Sequence, residues 1–148
     1  MKILLLDVYP DAKHRISKDQ NGGYGTANNY GNTIFTKFLK FIVNKSIDFP
    51  PLFSVQVLGE LNEAGHKVEY SKKLPKNLDN YDFFIIATSI VCHETEIETI
   101  TKLKNLNKIV FAIGPFGTSN PKNYIEVGAK TVKGEPEMFF HKFKMSIE

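Results

Sequence analysis

The chain has 148 residues, of which 42% are hydrophobic and 24% charged, a mix that excludes wholesale disorder and fits one domain with its own core. Nineteen Lys and Arg against 16 Asp and Glu give a formal charge of +3 with no basic run, so nothing in the charge argues for a nucleic-acid partner. The single cysteine, Cys92, excludes an intrachain disulfide framework and any cysteine-only zinc or iron–sulfur site.

The first element is the apolar run Ile3 to Val8, ended by Tyr9-Pro10. It does not alternate, as expected of a strand buried on both faces, and it is too short for a signal peptide or a membrane span. The expectation is therefore a cytoplasmic globular domain without a membrane partner. After this strand comes a long polar loop, Asp11 to Asn32, holding Gly22, Gly23, Gly25, Gly31 and four asparagines. Ile34, Phe35, Phe38, Phe41 and Ile42 then form a wide apolar helical stripe with Lys37 and Lys40 between them. Leu52, Val55, Leu58 and Leu61 predict a second helix, stopped at Gly65.

Val68-Glu69-Tyr70 is short and alternating, the pattern of an outer strand. Asp82 to Thr88 and Lys108 to Ile113 repeat the buried-strand signature, and Ile97, Ile100, Leu103 and Leu106 place a helix between them. Lys130 to Val132 is a short last strand, and Met138, Phe139, Phe140 and Phe143 begin a final helix. Buried strands alternating with amphipathic helices imply a parallel sheet covered on both faces. The predicted fold is an open, doubly wound, Rossmann-like five-stranded α/β sheet in the flavodoxin-like order 2-1-3-4-5, with an enlarged first crossover. One domain spans residues 1–148.

Open α/β sheets bind ligands at the carboxyl ends of their strands, which directs attention to four loops. Gly22-Gly23-Tyr24-Gly25-Thr26 lacks the Gly-Lys-Ser/Thr ending and the tight strand-to-helix position of a phosphate loop, and reads as a lid or docking surface. In Ser89-Ile90-Val91-Cys92-His93, adjacent Cys and His side chains diverge and no second ligand cluster is near. Cys92 reads as a packed residue and His93 as the start of a helix, whereas the Ser89 hydroxyl can meet a ligand amide. Gly114-Pro115-Phe116-Gly117-Thr118 is either a close backbone approach to a flat ligand or an ordinary turn. Gly134-Glu135-Pro136-Glu137 also suits a helix start by itself. Of the scattered histidines, His66 reads as structural and His14 alone lies in the ligand-side loop.

Taken in order, several motifs resemble the N-terminal cobalamin-binding-like domain of cobalamin-dependent radical S-adenosylmethionine proteins. They are Asp7-Val8-Tyr9-Pro10, Pro50-Pro51-Leu52, Glu63-Ala64-Gly65-His66-Lys67-Val68, Ile113-Gly114-Pro115 and Gly134-Glu135-Pro136-Glu137. The resemblance covers essentially the whole chain and implies a cobalamin (vitamin B12) binding module with no chemistry of its own. It implies that the corrin lies near Tyr9, Pro10, Ser89, Ile90, Val91, Gly114, Pro115, Gly117, Gly134 and Glu135, with Glu135 accepting from corrin amides. The Asp-x-His-x-x-Gly signature of a histidine ligand below cobalt is absent, so no protein residue is expected to ligate the metal. The Cys-x-x-x-Cys-x-x-Cys motif of the radical core is absent too. Iron–sulfur cluster and S-adenosylmethionine are thus expected only in a downstream radical domain, acting in cis or in trans as a methyltransferase-like enzyme.

Two rival readings accompany this one. The first is an interaction domain of the same fold without cofactor, favoured by the altered Gly-Pro-Phe-Gly loop and by Pro136. The other is a flavodoxin-like flavin or phosphate binder; in its receiver form it lacks an acid where Thr88-Ser89 ends the third strand.

Overall fold

The computed structural model describes residues 1–10, 31–46 and 50–145. The three apolar runs become strands β1 (Lys2–Leu6), β3 (Phe83–Ala87) and β4 (Ile109–Ile113), and the shorter patterns become β2 (Lys67–Ser71) and β5 (Lys130–Thr131). All pairings are parallel and the strand order is β2-β1-β3-β4-β5, as the sequence predicts. The register runs Ile3↔Phe83 between β1 and β3, Phe83↔Ile109 between β3 and β4, and Phe111↔Lys130 between β4 and β5.

Alternation along each strand sends side chains to opposite faces, which is why the central strands are apolar throughout. Ile3, Leu5, Phe83, Ile85, Phe111 and Ile113 pack on one face under α2 (Leu52–Glu63) and α6 (Pro136–Met145). Leu4, Leu6, Phe84, Ile86, Val110 and Ala112 pack on the other, under α3 (His93–Asn105) and α5 (Pro121–Glu126). Helix α2 closes with His66 N–H donating to Leu61 C=O at 3.0 Å and Gly65 N–H to Asn62 C=O at 2.9 Å. That pair of bonds is the Schellman ending the glycine signals.

Two apolar stripes behave differently from expectation. In α2 the buried face is Ser54, Val57 and Leu61, whereas Leu52 is 67% exposed. A spacing of three falls short of the 3.6-residue turn, so Leu52 and Leu61 end up on opposite sides of the helix. The helix α1 (Ile34–Ser46) forms where predicted, and the Thr33 hydroxyl caps it by accepting Thr36 N–H at 3.2 Å. Its stripe faces outward, with Phe35 68% and Phe38 59% exposed. The short helix α4 (Pro115–Ser119) and α5 each start with proline at the first helical turn, where the missing N–H costs nothing. The sequence leaves 114–118 as either a close backbone approach to a ligand or an ordinary turn, and the structure forms the short helix there. Gly22–Thr26, His14 and most of the Asp11–Asn32 loop lie outside the described residues.

Candidate functional site

The carboxyl edge is built from the ends of β1, β3, β4 and β5. At the end of β1, Asp7 is buried, and its Oδ2 accepts from the hydroxyls of Tyr9 at 2.9 Å and Tyr70 at 2.8 Å. Burial, and then the Asp7 charge, push the Tyr9 phenol far above its ordinary value, so it remains a donor at any working pH. Pro10 follows, half-buried.

At the end of β3 the chain satisfies itself. Ser89 is 0% exposed, and its hydroxyl donates to Glu96 Oε1 at 3.1 Å while accepting Cys92 N–H at 3.2 Å. Glu96, also 0% exposed, receives the Ser89 N–H at 3.0 and 3.2 Å and the Tyr124 hydroxyl at 2.6 Å. Burial and the neighbouring Glu96 raise the Tyr124 phenol far above its ordinary value. The Ser89 hydroxyl therefore shapes the loop from inside. Ile90 is 39% exposed and Val91 half-buried, and Cys92 is a buried thiol. The His93 Nδ1 lies 3.1 Å from the Ile90 carbonyl, an acceptor, so Nδ1 carries the proton. The ring packs edge-on against Phe116.

Thr88 joins this half to the next. Its hydroxyl donates to Ile113 C=O at 2.6 Å and accepts Gly117 N–H at 2.9 Å, tying the end of β3 to the loop after β4. A side chain at Gly117 would place its Cβ 2.9 Å from that same hydroxyl. Gly114 has φ +109, and a Cβ there would meet the Phe53 ring at 3.0 Å and Thr88 C=O at 3.2 Å. Both glycines are thus required by contacts within the chain. Gly134 also has positive φ, +82, but a Cβ built on it meets nothing within 4 Å.

Between these loops lies a cavity of about 280 Å³, lined among others by Phe53, Gly114, Pro115, Gly134, Glu135 and Glu137. Of the ten residues the resemblance implies, the structure gathers Gly114, Pro115, Gly134 and Glu135 around this one space. Tyr9, Pro10, Ile90 and Val91 sit at the ends of β1 and β3 and do not line it, Ser89 is enclosed, and Gly117 is held under Thr88. Sequence reasoning missed Phe53, Thr88, Glu96, Tyr124 and Glu137. Only Glu137 left a signal, as the last residue of the Gly-Glu-Pro-Glu motif. Among the described residues no group of three or more His, Cys, Asp and Glu could hold a metal ion, and no helix is long and apolar enough to cross a membrane.

Comparison with known proteins yields no matching family model, no matching curated protein and no matching solved structure.

Proposed function

We propose that this chain is a cobalamin-binding module that holds the corrin at the carboxyl edge of its sheet, over the ends of β4 and β5, without a histidine lower ligand. The observation that carries the reading is a convergence. Gly114-Pro115 and Gly134-Glu135 are separate motifs in the sequence, the resemblance assigns both to one cofactor, and both line one cavity. A volume of about 280 Å³ lies at the lower end of small-molecule sites, so it suits a side arm of the corrin and leaves the macrocycle outside.

Gly134, open above its backbone, and Pro115 border the space, and the exposed Glu135 offers an acceptor at its mouth. Thr88 acts from beneath, tying the end of β3 to the segment after β4 that frames it, and Ser89 and Glu96 hold the neighbouring loop after β3. When bound, cobalamin supplies methyl-transfer or cobalt redox chemistry, and this chain supplies binding and orientation. A radical S-adenosylmethionine domain, in cis or in trans, would supply the cluster. With Cys92 alone, the 148-residue chain should form no 5′-deoxyadenosine after iron–sulfur reconstitution.

An interaction domain without cofactor is the second reading, favoured by the exposed apolar stripe of α1. Mixing the purified chain with hydroxocobalamin or flavin mononucleotide, then desalting, separates the readings. A retained pink colour is expected; yellow supports a flavin site, and a colourless protein supports the interaction domain.

A further inference from the structure

Large apolar side chains scattered singly over a surface are ordinary, but a contiguous apolar patch marks a contact site. In α1, Ile34, Phe35, Phe38, Phe41 and Ile42 are all exposed, from 89% at Ile34 to 40% at Ile42. At about 100° per residue these positions fall within roughly a third of the helix circumference, so they form one face. Thr36 and Leu39, outside that face, are half-buried. Among the described residues, neither core face of the sheet takes a side chain from this helix.

The charge on the helix narrows what covers the face. Ile34–Ser46 holds Lys37, Lys40 and Lys45 and no acid. Removing these three from the 19 basic residues of the chain leaves 16, equal to its 16 acidic residues. The whole net charge of +3 is therefore carried by this one helix. Positions 37 and 40 lie outside the apolar third, and position 45 comes in the last turn, beyond Ile42.

A second copy would bring the same three lysines and no acid in its own α1, so pairing the two helices gains nothing from charge. Protein interfaces favour Arg, Tyr and Trp and are poor in Lys, whereas α1 combines Phe and Ile with Lys. Anionic phospholipid headgroups above acyl chains match both features. The apolar face enters the acyl boundary, and the lysines meet the phosphates. With 13 residues α1 is about 20 Å long, too short to cross a bilayer, but a helix lying in the surface plane needs no such length. The short N-terminal run that argues against a span says nothing about a helix of this kind.

We propose that α1 is an interfacial anchor, which lays its Phe35, Phe38 and Phe41 face into an anionic phospholipid surface and holds the domain there through its lysines. The proposal is independent of the cobalamin reading, because no residue of α1 lines the cavity at the carboxyl edge.

The experiment is co-sedimentation of the 148-residue chain with vesicles of phosphatidylcholine, alone or mixed with phosphatidylglycerol, at low and high salt. At low salt the chain should bind the mixed vesicles at least about tenfold more tightly than phosphatidylcholine, and high salt should remove most of the difference. Lys37→Gln should weaken binding to the mixed vesicles about fivefold, the scale of one lysine near a charged surface. Phe35→Ser combined with Phe38→Ser should weaken it about tenfold or more. Circular dichroism and thermal unfolding of that double variant should match the wild type, because both side chains are exposed. No binding to the mixed vesicles, or equal binding to both kinds, would overturn the proposal. So would a double variant that binds as the wild type does, since charge alone would then hold the chain. Sedimentation equilibrium of the free chain tests the protein alternative. A dimer that the double variant breaks, in a chain that does not pellet with vesicles, would assign the face to a second copy.

Discussion

The two halves of the carboxyl edge solve the same problem in opposite ways. Beyond β3, Ser89, Cys92, Glu96 and Tyr124 are buried and bonded to one another, so that half is closed by its own side chains. Beyond β4 and β5, glycines, prolines and two glutamates line a cavity, and among the described residues the buried Glu137 Oε2 has no donor. A network that satisfies itself rigidifies a loop but has nothing left to offer a ligand. Groups that border an open cavity keep their surface for a ligand. The proposed division of the edge, support in the first half and recognition in the second, rests on this difference.

The most damaging change should be in the supporting half. Glu96→Ala strands the Ser89 N–H and hydroxyl and the Tyr124 hydroxyl, and should lower unfolding free energy by about 3–5 kcal/mol. Urea denaturation checks this, and a loss below about 1 kcal/mol would mean the network is incidental.

Next in size is Gly114→Val, at about 2–4 kcal/mol, from positive-φ strain and contact with the Phe53 ring. Because that cost arises within the chain, the variant reports on folding rather than on ligand contact. Gly134→Ala keeps the open space and is the better probe of binding. Thermal melts of both should rank Gly114→Val well below Gly134→Ala, and the reverse order would misplace the Phe53 wall.

Alkaline pH touches the edge through two tyrosines, Tyr9 at the end of β1 and the buried Tyr124 in the supporting half. The phenols of Tyr9 and Tyr124 have folded pKa values raised above the ordinary 10.0, by burial first and then by Asp7 and Glu96. Above pH 10 the unfolded chain releases these protons and the folded chain does not. The contribution is therefore complete below pH 10 and lost as pH rises beyond it. Unfolding followed by circular dichroism should coincide with the late part of the phenolate absorbance. Early titration of all tyrosines in the folded protein would contradict the buried bonds.

The smallest expected effect is at cobalt. Bound cob(II)alamin should show no protein-derived nitrogen splitting in its electron paramagnetic resonance spectrum, and neither His14→Ala nor His93→Ala should alter it. His93 merits the control because its proton on Nδ1 leaves Nε2 with a lone pair. Splitting that responds to histidine isotope labelling and disappears in either variant would place an imidazole on the metal.

The sheet was legible because continuous apolar runs have few other uses in a chain of this size: Ile3–Leu6, Phe83–Ala87 and Val110–Ile113 had to be the buried middle. The faces of the helices were harder to read. The spacing from Leu52 to Leu61 matches a helix but drifts around it, and Ser54 took the buried position a hydrophobe was expected to hold. The stripe of α1 predicts its helix correctly and says nothing of what it packs on. Glu96 was invisible, since an acid between Glu94 and Glu98 looks like part of a solvated face. Its burial is decided by Ser89 and by Tyr124, 28 residues away in sequence. Glu137 was visible only as helix-start chemistry, because the lack of a donor is a property of the packed structure.

Backbone amide mapping with hydroxocobalamin tests the division of the edge most directly. Signals from Phe53, Gly114, Gly134, Glu135 and Glu137 should move together on titration, and those of Glu96 and Tyr124 should stay. Movement centred on Ile90 and Val91, or on the exposed stripe of α1, with Gly114 and Gly134 unchanged, would contradict the assignment of recognition to the ends of β4 and β5.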